Sequence, residues 1–414
     1  MSKAPQLFRN AILASLLVIL GGVVGYRLRD GQNVPVVSAL VNQVKLRNTS
    51  NPEDFKDVDF SQFWEVWRIL EQKYLDPSKL DKKQMTFGAI KGMTAALEDP
   101  YTLYLPPTDQ KRSEEDLQGS FYGVGIQLGY VENTLAVMTP IKGSPAEKAG
   151  VKAKDLILHV QDEKAGVDAD TQGWTLQEAV DKIRGEKGTK VTLTLYRREN
   201  ENSQPFKVTL ERGEIIVPSV ELSFVDKNNK HLAHIVLSRF GERTDTELND
   251  AIQKILTSQP KVDGIILDMR NNPGGFLETA IDVASEFIKS GKVVTQQGKD
   301  RSQDFNATGK ARLANYPVVV VVNGGSASAS EIVTGALRDQ LNAKIVGEKT
   351  FGKGTVQDAM KLNNGSGLHV TIARWLLPKG DWIHHEGIPV TVEVKDDPKT
   401  PDKDEVLEKA EEQF

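Results

Sequence analysis

Cysteine is absent from all 414 residues, which excludes disulfides, thiolate metal sites and a thiol nucleophile together. Histidine is scarce at six residues, so an imidazole base has few candidates. Cationic surplus is missing as well: 52 Lys and Arg face 57 Asp and Glu, a formal net charge of -5. Such a chain has no field suited to neutralising phosphates, and nucleic acid is not expected as a partner. Internal repeats and long low-complexity tracts are lacking too. What remains is an ordinary globular composition, long enough for more than one hydrophobic core.

The uncharged run Ala11–Tyr26 follows Lys3 and Arg9 and reads as an export segment. It is somewhat short for a spanning helix, and a cleaved signal is the alternative to an uncleaved anchor. Arg27, Arg29 and Asp30 follow directly with no small-residue cleavage site, which favours the anchor. On this reading residues 1–10 are a short cytoplasmic N-terminus, 11–26 the transmembrane anchor and 27–59 a linker. The rest of the chain then lies outside the cytoplasm, in the periplasm or beyond the membrane.

Residues 60–115 read as a helical region. Phe60, Phe63, Val66, Trp67, Ile69, Leu70 and Tyr74 recur at helical spacing, and Met85–Leu97 is a second amphipathic stretch. This arm is core or, beside an anchor, a surface for pairing with a second copy. Residues 116–214 carry short alternating strands and one helix at Thr175–Ile183, a compact β-rich module. Residues 215–395 alternate buried-type strands (Leu232–Ser238, Gly264–Met269, Pro317–Val322) with helices such as Thr246–Leu256, which indicates an α/β domain. Residues 396–414 form a charged tail ending in a short helix candidate.

Chemistry concentrates in two places. Val318–Ile332 runs a buried strand through a glycine turn into small residues that open a helix, where backbone N–H groups can bind a developing oxyanion. Ser326, Ser328 and Ser330 compete there as nucleophile, and small residues are equally what a tight strand-to-helix crossing needs. A base is needed. His159, His231 and His234 lie elsewhere, and His384 and His385 are adjacent residues expected on opposite faces of a strand, where they share no metal. That leaves lysine, whose pKa falls on burial, and Lys353 is the candidate. Its loop, Gly347–Gln357, resembles a phosphate-binding loop, but position 354 is Gly where a Ser or Thr would hold magnesium, and Thr355–Lys361 reads as extended.

GGSASASEI followed by TFGKGTVQ resembles the carboxyl-terminal processing, or tail-specific, peptidase family. LDMRNNPGG (Leu267–Gly275), FYGVGIQLG (Phe121–Gly129), KIRGEKG (Lys182–Gly188) and Gly387-Ile388-Pro389 recur in the family's order, over roughly three quarters of the chain. The resemblance implies a ClpP/crotonase-like α/β serine protease core with an inserted PDZ domain. It implies Ser328 as nucleophile, Lys353 as general base and Gln357 as the residue orienting the lysine. The amides of Ala329 and of Gly274 or Gly275 would form the oxyanion hole, with Glu331 and Thr350 lining the site. It implies a serine endopeptidase working through an acyl-enzyme, with no metal or organic cofactor. Protein substrates would be bound by their C-termini at Tyr122, Gly123, Val124 and Gly125, and Arg184 would lie at a regulatory contact. A membrane-anchored PDZ scaffold with an inactive protease domain is the competing reading.

Overall fold

The computed structural model describes residues 57–198, 203–400 and 402–414. The expected anchor at 11–26 and most of the linker lie outside the described residues. Among those that are described, no helix is long and apolar enough to cross a membrane. The chain divides into two compact units between Lys82 and Lys83.

In the first unit, α1 (Ser61–Lys73) forms where the helical spacing places it. None of its residues is buried, and its aromatic residues pack on one another, with Phe63 and Trp64 ring centres 4.9 Å apart.

The second unit opens with α2 (Lys82–Ala95), a short strand β1 (Leu103–Leu105) and α3 (Pro107–Gln118). The region expected to be wholly helical therefore contributes a strand. β1 pairs antiparallel with a strand more than 260 residues later, Leu103 opposite His369.

The β-rich module comprises β2 (Ser120–Gly123), β3 (Ile126–Val131), β4 (Thr134–Pro140), α4 (Pro145–Lys148), β5 (Leu156–Asp162), β6 (Val167–Asp170), α5 (Leu176–Ile183), β7 (Lys190–Tyr196), β8 (Phe206–Glu211) and β9 (Gly213–Ile216). A capping box between Thr175 and Glu178 starts α5 one residue after the expected boundary. The main sheet runs β3-β4-β5-β7-β8 with β6 on β5, so β3 is an edge strand, while β2 pairs with β9 at the module's base. Its core is separate, built on Val137, Ile157, Val160, Leu193 and Leu195.

The α/β domain comprises β10 (Val220–Lys227), β11 (Lys230–Leu237), α6 (Thr244–Thr257), β12 (Gly264–Asp268), α7 (Leu277–Phe287), β13 (Lys292–Gly298), β14 (Ser302–Asn306), β15 (Val318–Val322), α8 (Ala329–Leu341), β16 (Lys344–Gly347), β17 (Thr355–Lys361), β18 (Gly367–Leu376), β19 (Val392–Glu393) and α9 (Glu405–Glu411). One sheet has the order β10-β11-β12-β15-β16-β19, parallel from β11 onward. Because side chains alternate along a strand, Ile265, Leu267, Val320, Val322 and Ile345 face α6, α7 and α8, while Ile266, Val319, Val321 and Val346 face the other way. Val406 and Ala410 of α9 cover that second face. The charged tail thus carries a narrow apolar face, which explains why β12 and β15 are apolar on both sides. Arg270 ties the tail down, donating to Asp404 at 2.9 and 2.8 Å while also bonding Asp268.

Candidate active site

β15 delivers the chain to the carboxyl end of the parallel strands, the edge where open α/β sheets place their sites. The turn after it sorts the three serines. Ser326 Oγ donates to Met269 O at 2.7 Å and Ser330 Oγ to Asn272 O at 2.9 Å, and both residues are fully buried. Ser328 alone is half-buried, at the N-cap of α8, with φ of 55° in the left-handed region that a residue with a Cβ adopts only under constraint.

Two asparagines supply that constraint, and the sequence reading had assigned them nothing. Asn323 Oδ1 accepts from Gly325 N and Asn271 N, and Asn272 O accepts from Ala327 N at 3.0 Å as well as from Ser330. The Asn271–Gly275 turn is thereby laced to the serine turn. Gly274, with φ of 104°, comes so close that a Cβ there would lie 2.8 Å from Ser328 Cβ. Its own N–H is committed to Asn272 Oδ1 at 2.9 Å. The N–H groups of Gly275 and of Ala329, the first residue of α8, have no partner among the described residues. A cleft of about 720 Å³ opens between this turn and α3, lined by Gly274, Gly275, Arg239 and Arg112 among others.

Glu331 joins the two halves of the site. Its Oε2 accepts from Ser328 N at 2.8 Å and from Lys353 N at 2.9 Å, so the two backbone nitrogens cannot lie farther apart than those distances added end to end. Its Oε1 accepts from Thr350 Oγ1 at 2.6 Å and Gly352 N at 2.7 Å. Burial pushes the carboxyl above its ordinary value, while hydrogen bonds from Thr350, Lys353, Gly352 and Ser328 pull it back. Lys353, which follows β16 and precedes β17, makes no side-chain hydrogen bond or ion pair among the described residues. Its Nζ lies 5.1 Å from the centre of the Tyr101 ring. Burial holds its pKa below the ordinary lysine value, against the pull of Asp99 and Glu331.

Gln357 sits on β17, but its amide nitrogen donates to Thr355 and Thr371 at 3.0 and 3.1 Å and not to Lys353. His384 and His385 lie on a turn with ring centres 3.9 Å apart, because His385 takes a left-handed φ of 64°; the expected opposition across a strand is corrected. No group of three or more metal-binding side chains occurs among the described residues. His369 on β18 escaped the sequence reading, and burial together with Lys353 lowers its pKa. Asp99 and Tyr101 also escaped it; no local pattern marks a turn whose partners lie some 250 residues away.

In the β-rich module Tyr122 and Gly123 end β2, opposite Glu214 and Gly213 of β9, and Val124 and Gly125 link them to the edge strand β3; the N–H groups of Val124 and Gly125 have no partner among the described residues. Arg184 stacks 3.9 Å over Phe121 and pairs with Glu115 of α3 at 3.2 Å, which places it where the module meets α3.

Comparison with known proteins decides the family. Residues 231–394 match Peptidase family S41, residues 137–197 a PDZ domain and residues 21–108 the N-terminal domain of the activating protease CtpB. Carboxy-terminal processing protease CtpA of Bacillus subtilis is 38% identical over 348 residues, 83% of this chain and 71% of that protein. The chain belongs to peptidase family S41. Carboxy-terminal processing protease CtpB of the same organism is 32% identical over 84% of this chain and 70% of its own length. A solved structure of Bacteroides fragilis assigned to the S41 proteases shares the fold with a TM-score of 0.53 at 17% identity, over 84% of this chain and 92% of that one. Like its S41 relatives, the chain is a serine endopeptidase of the carboxyl-terminal processing type, with a PDZ domain inserted ahead of the protease core.

Proposed function

We propose that this S41 protease cleaves extracytoplasmic proteins, bound by their C-termini, through a Ser328/Lys353 dyad on a ClpP/crotonase-like core, and that residues 11–26 hold it on the membrane. The observation that carries the dyad is the shared carboxylate: Ser328 N and Lys353 N both donate to Glu331 Oε2. Two further facts support it. Ser326 and Ser330 have spent their hydroxyls on backbone carbonyls, and burial lowers the Lys353 pKa, which favours the neutral amine that a base requires.

Neutral Lys353 takes the Ser328 hydroxyl proton as Oγ attacks the scissile carbonyl. The free N–H groups of Gly275 and Ala329 receive the oxyanion; Gly274, whose N–H is engaged, shapes the turn beside Ser328. Lysine then returns its proton to the leaving amine, and water hydrolyses the acyl-enzyme. Gln357 reaches Lys353 through its carbonyl oxygen once substrate closes the site, since hydrogen bonds of this kind tighten in the bound complex. The Tyr122–Gly125 loop holds the substrate carboxylate, β3 takes the peptide as an added strand, and Arg184 transmits its occupancy to α3. A second copy pairs through α1, whose apolar side chains Trp64, Ile69 and Leu70 are exposed.

Digestion of an unfolded polypeptide by full-length protein and by Ser328→Ala, Lys353→Ala, Ser326→Ala and Ser330→Ala variants tests the dyad. The first two variants lose cleavage with the fold intact and the last two keep it. Full activity in Ser328→Ala would overturn the assignment, and inactivity of the parent protein would favour the scaffold reading.

A further inference from the structure

The turn 99–102 reaches Lys353 from a region that precedes the PDZ domain. Asp99 accepts Tyr101 N at 3.0 Å and Thr102 Oγ1 at 2.7 Å, and Thr102 Oγ1 in turn accepts Thr371 N of β18 at 3.0 Å. With β1 paired to β18 immediately afterwards, Tyr101 has little freedom. Its ring ends a row of three: Tyr101 lies 6.0 Å from His384, which stacks on Trp382 at 5.2 Å. That row grips the residue after the lysine, because Trp382 Nε1 donates to Gly354 O at 2.9 Å and Gly354 N donates to His384 Nδ1 at 3.2 Å. Lys353 Nζ therefore meets an aromatic face and no polar partner.

We propose that Tyr101 is a positioning residue for the base, its ring keeping water from Lys353 Nζ and fixing the amine on the side from which it serves Ser328. The inference rests on the Ser328/Lys353 reading. A ring beneath an amine acts in two opposed ways. Its quadrupole favours the ammonium by up to about 1.5 pK units, whereas desolvation disfavours it by as much as ~3 to 5 units for a fully enclosed lysine. The general magnitudes favour shielding, and burial outweighs the pull of Asp99 and Glu331 at Lys353. The other titratable groups that interact with the amine are Asp99, Glu331 and His369, while His384 lies against the Tyr101 ring. The two carboxylates raise the lysine pKa, which is why a hydrophobic cover is needed against them.

The test is the pH dependence of kcat/KM on a short chromogenic peptide, using the full chain and its Tyr101→Phe, Tyr101→Leu, Tyr101→Gln and Tyr101→Ala variants. Thermal unfolding monitors the fold. Tyr101→Ala and Tyr101→Gln should move the acidic limb alkaline by about one unit, with roughly tenfold loss at neutral pH recovered at high pH. Tyr101→Phe and Tyr101→Leu, which keep an apolar cover, should restore the limb. Gln also fills much of the volume, so the experiment stands if the Ala variant unfolds. An unmoved limb in a folded Gln or Ala variant, or an acidic shift, overturns the inference. Lys353→Ala separates the two readings. If it stays active the base assignment falls; if it is inactive while Tyr101→Gln keeps the parent limb, only the role of Tyr101 falls.

Discussion

Replacing Glu331 measures how much of the site hangs on one carboxylate. Glutamine in its place keeps one accepting oxygen and turns the other into a donor. If the amide nitrogen occupied the Oε2 position it would confront two backbone donors, Ser328 N and Lys353 N, which cannot reverse. The favourable orientation puts it at Oε1, where the Thr350 hydroxyl, which already accepts from Ile388 N, can rotate to accept a second bond, leaving Gly352 N and the Thr350 O–H without their acceptor. One unsatisfied buried amide and one buried hydroxyl, plus weaker bonds to a neutral oxygen, cost about 3 kcal/mol or more. Ser328 and Lys353 stay tethered. Alanine strands three amides and leaves a cavity, which costs twice that or more. Glu331→Gln should therefore lower Tm by several degrees and kcat/KM by less than about tenfold, since both backbone anchors survive. Glu331→Ala should lose more than 100-fold in kcat/KM, with a much larger fall in Tm. Differential scanning calorimetry and a peptide assay read both. Equal damage from the two variants, or none from either, would refute the tether.

Lys353→Met should abolish cleavage yet raise Tm at neutral pH. Because folding lowers this lysine's pKa, the unfolded chain binds one more proton between the lowered value and the ordinary one; stability rises with pH across that window and carries the full penalty below it. An unchanged or lower Tm in Lys353→Met would count against a desolvated amine. Val406→Asp places an unpaired charge on the face made by Ile266, Val319 and Val321 and should cost about 3 kcal/mol or more, against ~1.5 kcal/mol for Val406→Ala, read as urea midpoints. A substrate with an apolar C-terminus should be cleaved less well as its amide than as the free acid, because the Val124 and Gly125 donors lose an anion. Equal kcat/KM for the two forms removes the carboxylate-reading role from that loop.

Where the sequence was legible, the signal was local. β12 and β15 stood out because strands covered on both faces are continuously apolar, and Thr355–Lys361 matches its expected bounds. The turn after β15 was recognisable by its glycines and small residues, yet spacing left three serines in contention. Only the carbonyls that absorb Ser326 and Ser330, supplied by the Asn272 turn and Met269, separate them. β1 was illegible because its three residues owe their conformation to β18. The apolar stripe of α9 is two residues wide, Val406 and Ala410, inside a segment dominated by Asp, Glu and Lys. His384 and His385 were misread because a left-handed residue turns two neighbours to the same side.

The PDZ domain enters and leaves the chain at almost one point. Gly119, which closes α3 with φ of 68°, accepts a hydrogen bond from Val217 N at 3.0 Å through its carbonyl, and Ser120 stands opposite Ile216. About a hundred residues are thus a loop whose two ends already touch. An insertion closed in this way is an excisable cassette: joining Gly119 to Val217 through two or three flexible residues bridges a gap one hydrogen bond wide. Neither the pairing of β1 with β18 nor the lacing around Ser328 lies within the removed segment. Recognition modules from other chains, spliced at the same two residues, would therefore inherit the same catalytic body.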